Sequence, residues 1–192
     1  MERFYRANFM NCLTGFKSPV LIGTVNAKGE ENLAIFNNLV HLGANPALIG
    51  FVNRPREAAP HTLSNIEATG IYTINHISEH FFRQAHQTSA KYPEGVSEFE
   101  QTGLTAERLG DCIAPFVKES PVKISMQLKE IIPIQFNNTY FVIGAITDIY
   151  LDASLIEEDG CLDLQKAHII SSLGTNGYYS VSRIEKLGYA RP

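Results

Sequence analysis

Val122-Lys123-Ile124-Ser125-Met126-Gln127-Leu128-Lys129-Glu130-Ile131-Ile132 and Tyr140-Phe141-Val142-Ile143-Gly144-Ala145-Ile146-Thr147-Asp148-Ile149-Tyr150-Leu151 are two long runs dense in β-branched and aromatic residues. A branched Cβ is stiff in a helix and packs well on a pleated surface, so such runs favour extended backbone. Between them, Pro133 to Thr139 contains Asn137-Asn138, a pair suited to a turn. Together they predict a long antiparallel hairpin, and a core built from strands.

Upstream, Ser18 to Val25 precedes Asn26-Ala27-Lys28-Gly29, a turn signal, and Glu31 to Phe36 supplies the returning arm of a second hairpin. Ala47 to Asn53 and Gly70 to His76 read as strands. Thr62 to Thr69 between them reads as one helical turn or two, with Thr62 or Ser64 as N-cap and Gly70 where a helix stops. Ser78 to Thr88 reads as a helix capped by Ser78. Ala90 to Pro115 is irregular, a length of connection that usually carries function or acts as a lid. Asp163 to Ser172 is a short helix or a loop, and Gly174 to Ser180 is a Gly-rich turn leading into an extended piece. About six strands with short helices predict a mainly β fold, an antiparallel barrel, because closure removes exposed strand edges. Without an internal linker or repeat, residues 1–192 are expected to form one domain.

Composition narrows the function. The chain has 192 residues, 44% hydrophobic and 19% charged, which excludes disordered and collagen-like classes. Its net charge is -4 with no basic run, so no nucleic-acid partner is expected. Cys12, Cys112 and Cys161 lie far apart without a C-x-x-C spacing and read as reduced thiols. No apolar stretch nears the roughly 18 residues of a membrane span, and Met1 to Asn11 lacks an apolar signal core; a cytoplasmic protein without a membrane partner is expected. Tryptophan is absent, which leaves stacking on a flat ligand to Phe, Tyr or backbone.

Among His41, His61, His76, His80, His86 and His168, only His76 and His80 have the i, i+4 spacing of a helical ligand pair. No acidic partner follows at a matching interval, so no metal is expected. There is no Gly-x-Ser-x-Gly elbow, no P-loop and no Gly-x-Gly-x-x-Gly after a strand, which disfavours serine hydrolase, P-loop and Rossmann chemistry. Glu157, Glu158 and Asp159 beside Gly160 read as solvated charge. Small polar and basic groups gather instead in Asn32 to Asn38 and in Arg54 to Ile66. A helix starting near Thr62 would aim its N–H groups at an anion, with Arg54 or Arg56 supplying charge-assisted bonds to phosphate.

These residues resemble the flavin reductase-like, FMN-binding split-barrel family, which includes flavoredoxin and the reductase components of two-component monooxygenases. The resemblance rests on Asn32 to Asn37, His61-Thr62, Asn65-Ile66, Tyr72 to Asn75, Gly95 to Glu100 and Thr102 to Thr105. It continues through Ala114-Pro115, Glu119 to Val122, Phe141 to Ile146, Leu173-Gly174 and Gly177-Tyr178, all in the family's order. It implies a Greek-key split β-barrel that forms a homodimer, binds FMN non-covalently and takes hydride from NADH or NADPH, with an electron-acceptor protein as a further partner. It implies backbone contacts to the flavin from Ala34, Ile35, Phe36, Asn37 and Asn38. Arg54, Thr62, Ser89 and Lys91 would lie near the ribityl chain and phosphate, with His61, Asn65 and Thr88 beside them. No side chain is expected to act as a catalytic acid, base or nucleophile. The chain departs from the family pattern at Asn37, Leu39, Val40, Gly43 and His61. The altered wall Leu39, Val40 and Gly43 favours as an alternative a flavin-binding or storage module without turnover, and a protein-interaction barrel is a further alternative because barrel folds host many unrelated functions.

Overall fold

Val20 to Val25 is buried at every position, and its side chains serve two cores. Val20 and Ile22 point into one apolar cluster with Phe51, Tyr72, Ile74, Met126 and Val142. Leu21, on the opposite face, packs with Leu33, Ile77, Phe81, Phe99 and Val117. A strand covered on both faces reads as a continuous apolar run rather than an alternation. The computed structural model describes residues 1–93 and 95–191, and in it this strand lies within a curled sheet.

The elements in chain order are α1 (Arg3–Cys12), β1 (Val20–Val25), β2 (Glu31–Phe36), β3 (Val40–Ala44), β4 (Ala47–Asn53), α2 (Pro60–Thr69), β5 (Ile71–His76), α3 (Phe82–Gln87) and α4 (Glu98–Thr102). They continue with β6 (Ala106–Glu107), β7 (Phe116–Val117), β8 (Val122–Ile134), β9 (Thr139–Leu151), β10 (Ile170–Leu173) and β11 (Gly177–Ser180). Seven strands run in the order β2-β1-β5-β8-β9-β4-β3, with the jumps between β1 and β5 and between β4 and β9 giving a Greek-key winding. Every neighbouring pair is antiparallel. Among the described residues the end strands β2 and β3 form no ladder with one another, so the barrel is split.

The hairpin expected from Val122 to Leu151 pairs from Val122 with Leu151 to Ile134 with Thr139. It runs past Pro133 because β8 pairs with β5 only as far as Gln127. Beyond that point one edge of β8 is free, and a residue without an N–H is tolerated on a free edge. On the outer face, Asn75 and Thr73 clamp the segment entering β7. Thr73 Oγ1 donates to the Pro115 carbonyl at 2.6 Å, and Asn75 Oδ1 accepts the Val117 N–H at 2.9 Å. A Cβ on Gly23 would collide with the Pro115 carbonyl, so this close approach requires glycine.

Several expectations are corrected. α2 begins at Pro60, with Ala59 at the cap position and no side-chain cap, so neither Thr62 nor Ser64 is the N-cap. Proline suits a first helical position because its missing N–H would be unpaired there anyway. Gly70 does end the helix, at φ 71°. The helix expected over Ser78 to Thr88 forms only from Phe82 to Gln87, because Ser78 is taken into a β-bridge with Ile169. Asp163 to Ser172 is turns followed by β10. α1, β3 and α4 have no counterpart among the elements read from the sequence. In α1 the Glu2 carboxylate accepts the Phe4 and Tyr5 N–H groups, which lowers its pKa.

Candidate functional site

Two cavities border β2. The first, of about 570 Å³, is lined by residues including Glu30, Glu31, Glu98, Glu100, His61 and Asn65. Four carboxylates face one imidazole there, a poor setting for an anion. Glu98 also accepts the Leu33 N–H at 3.0 Å, and Glu31 pairs with Arg108 at 2.6 Å.

The second cavity, of about 380 Å³, lies at the other end of β2 and is lined by Ile35, Phe36, Asn37, Asn38, Arg54 and Ser89 among others. This volume falls within the roughly 300–1,000 Å³ of cofactor and small-ligand sites. Its floor is set by Asn38, whose Nδ2 donates to the Val52 carbonyl at 2.9 Å while its Oδ1 accepts the Val52 N–H at 3.2 Å. That two-way clip holds the segment after β2 against β4, and β4 runs directly into Arg54. Arg54 is exposed and forms no ion pair among the described residues, whereas Arg56 is held by Glu67 at 2.5 Å and lies over the Tyr140 ring. Of the two arginines weighed from sequence, Arg54 alone is available to a ligand.

The remaining wall comes from distant segments. α1 contributes Ala7 and Asn11, α3 contributes His86, and the β10–β11 turn contributes Gly174, Thr175, Asn176, Gly177 and Tyr178. His86 Nδ1 lies 2.8 Å from the Tyr178 hydroxyl, tying α3 to β11. Half-burial there raises the Tyr178 pKa. Lys17 and Ser172 exchange backbone hydrogen bonds, Lys17 Nζ donates to the Asn11 carbonyl at 2.6 Å and Thr175 N–H to Asn8 Oδ1 at 3.3 Å, so α1 and β10–β11 are tied into one wall. Among the described lining residues there is no Asp or Glu. In a chain of negative net charge, that leaves one free guanidinium, an imidazole and several amide and hydroxyl donors facing a cofactor-sized space.

The structure therefore brings together six of the twelve site residues expected from sequence. Ala34 lies within β2 but is not among the cleft-lining residues. His61 and Asn65 line the acidic cavity. Thr62 and Asn65 belong to a buried polar cluster: Asn32 Nδ2 donates to Thr24 and Thr62 Oγ1 at 3.2 and 3.3 Å, and Asn65 Nδ2 to Thr24 Oγ1 at 3.1 Å. That cluster seats α2 on β1 and β2. Thr88 is buried with its hydroxyl on the Ala85 carbonyl, and Lys91 is exposed and lines neither cavity. His76 and His80 do not form a helical pair, since β5 ends at His76. Glu157 and Asp159, read as solvated, pair with Arg183 and Lys186.

The chain is thus a split antiparallel barrel with a cofactor-sized cleft whose described lining contains no carboxylate. Residues 13–168 match the flavin reductase like domain, and the chain belongs to that family. A split-barrel protein from Shewanella frigidimarina assigned as a flavin reductase superposes with a TM-score of 0.95 at 47% identity, over 99% of this chain and 94% of that one. Nitrilotriacetate monooxygenase component B from Bacillus cereus matches with a TM-score of 0.88 at 20% identity, over 97% and 95% of the two chains. Flavoredoxin of Desulfovibrio vulgaris (Miyazaki F) matches with a TM-score of 0.79 at 24% identity, over 92% of each. The last two likenesses establish the fold alone. No helix among the described residues is long and apolar enough to cross a membrane.

Proposed function

We propose that this chain is an NAD(P)H-dependent flavin reductase or flavoredoxin-like electron carrier that holds FMN in the cleft between β2, Arg54 and the β10–β11 turn. The observation that carries the reading is the pairing of an unengaged Arg54 with a cleft whose described lining contains no carboxylate. These residues fit the group: Arg54 would hold the phosphate, joined by the Ser89 hydroxyl once it turns from the His86 carbonyl to which it donates at 2.7 Å, and the backbone of Ile35 to Asn38 would meet the polar edge of the ring system. FMN, when bound, supplies the hydride-accepting and electron-passing chemistry. The protein binds, orients and shields it. No side chain is needed as acid or base, so single substitutions are expected to weaken binding rather than abolish turnover. Thr62, Asn65 and Thr88 support the scaffold, and the proposed reading gives no direct flavin contact to His61 or Lys91.

In this reading residues 1–192 act as one cytoplasmic domain, a homodimer that passes electrons to an acceptor protein or a diffusing flavin. The storage-module alternative rested on Leu39, Val40 and Gly43, and none of these lines the cleft. The test is the visible absorbance of the purified protein before and after incubation with FMN and gel filtration, followed by NADH and NADPH oxidation with excess FMN. Retained flavin and a rate well above free FMN support the proposal. A colourless protein that cannot be loaded overturns it, and loading without turnover reduces it to a carrier.

A further inference from the structure

We infer that Glu79, His80 and His168 form a binding site for a zinc-type divalent cation, separate from the cleft. One ligand atom from each of the three residues lies within 4.8 Å of the other two. Glu79 and His80 are consecutive in the turn after β5, while His168 precedes β10 by two residues, so the site joins segments nearly ninety positions apart.

The backbone fixes this meeting. Glu79 N–H donates to the His168 carbonyl at 3.0 Å, and Ile170 N–H to the Ile77 carbonyl at 3.2 Å. Ser78 and Ile169 form an antiparallel bridge between the same segments. His168 adopts φ 53°, a left-handed conformation rare outside glycine, which aims its ring back over Glu79 and His80. Its Nδ1 lies 2.8 Å from Glu79 Oε1, and its ring centroid is 5.2 Å from that of His80.

Two imidazoles and a carboxylate are a common donor set for zinc, which takes nitrogen and oxygen ligands at about 2.0–2.2 Å. Four-coordinate geometry at that radius places ligand atoms somewhat more than 3 Å apart. All three side chains are exposed, so the Glu79–His168 contact can open and His80 can close to ligand spacing without disturbing the core. Three protein ligands leave the last position to water or an exogenous group. Gln165, which borders the same hollow as Glu79 and His168, is already engaged through its Oε1 with the Arg183 N–H. The site sits where the chain enters α3 on one side and β10 on the other. A bound cation would therefore staple the element carrying His86 and Ser89 to the one leading to Tyr178.

The test uses tag-free, chelator-treated full-length protein titrated calorimetrically with Zn2+ at neutral pH, with Co2+ substitution to read coordination from its visible bands. The expected result is one Zn2+ per chain, a raised melting temperature, and four-coordinate Co2+ bands. His80→Gln and His168→Asn should each lower the affinity at least tenfold while leaving the metal-free melting temperature unchanged, since Asn also tolerates the left-handed backbone. Absence of stoichiometric binding, or binding equally tight in both variants, would show a Glu79–His168 ion pair only and overturn the assignment. Flavin loading of the same samples is scored separately, so neither result decides the other.

Discussion

At the scale of the residue, two side chains make opposite electrostatic predictions. Arg54 faces the cleft without an acidic partner, and a hydrogen bond to a charged group contributes about 1.5–3 kcal/mol. Arg54→Ala is therefore expected to weaken FMN retention by roughly ten- to a hundredfold by the same range. Arg56→Ala, which loses only the Glu67 pair and the Tyr140 contact, should leave it within about threefold, given the small worth of exposed ion pairs. Equilibrium fluorescence titration of FMN distinguishes them; equal losses would remove the phosphate role given to Arg54. His76 concerns stability instead. Its Nδ1 is buried without a hydrogen-bond partner, and burial pushes its pKa down to about 4. An unfolded histidine titrates near 6.5, so as pH falls from there the unfolded chain takes up a proton that the folded chain refuses. Stability is thus complete above about pH 6.5 and declines toward pH 4, by up to about 2 kcal/mol at pH 5. Urea unfolding at pH about 7 and 5 should show that loss in the parent and a flatter response in His76→Gln, in a range above most carboxylate titration.

At the scale of the element, β5 and β9 meet across the barrel through Tyr72 and Gly144. Tyr72 is wholly buried with an unpartnered hydroxyl, and a Cβ on Gly144 would collide with that hydroxyl. Gly144→Ala is expected to cost about 1–3 kcal/mol through overpacking. Tyr72→Phe removes an unsatisfied buried group and should be neutral or stabilising. The double variant should recover part of the alanine cost, and a strictly additive pair of unfolding energies would mean the two residues do not press on each other. The same elements explain what was readable beforehand. β8 and β9 announced themselves because branched and aromatic residues recur through both arms, and β1 because burial on both faces left an unbroken apolar run. β3 was silent: Val40-His41-Leu42-Gly43-Ala44 is a short, mostly exposed end strand with a glycine inside it. Ser78 looked like a helix cap because nothing local shows that Ile169 will claim it in a bridge. Part of the cleft was legible for the same reason. Ile35 to Asn38 and Arg54 lie in sequence runs of recognisable character, while Asn11, His86 and Asn176 reach the cleft only through pairings between distant segments. The polar character of Thr62 and Asn65 was visible, but its destination in a buried cluster beneath α2 was decided by packing.

At the scale of the whole molecule, α1 is the feature the monomer does not explain. None of its residues is buried, and Phe4, Tyr5, Phe9 and Met10 are all exposed, Phe4 at 78%. Leu13 and Phe16 continue the apolar surface beyond its end. Large exposed apolar side chains on such a helix suit an interaction surface, and a helix this short owes its stability to packing more than to propensity. A second copy of the chain is the partner the proposed function calls for, and self-association would cover the face symmetrically. The consequence reaches the cleft, because Ala7 and Asn11 of α1 line it and Asn8 anchors the β10–β11 turn at Thr175. Covering α1 should therefore hold the outer cleft wall in place. Light scattering after gel filtration is expected to give a dimer for the parent and a monomer for Phe4→Ser/Phe9→Ser, with FMN retention in the monomer reduced roughly tenfold or more, a loss of about 1.4 kcal/mol. A parent that runs as a monomer would end the dimer proposal, and a monomeric variant that keeps its flavin would show that each chain builds the wall alone.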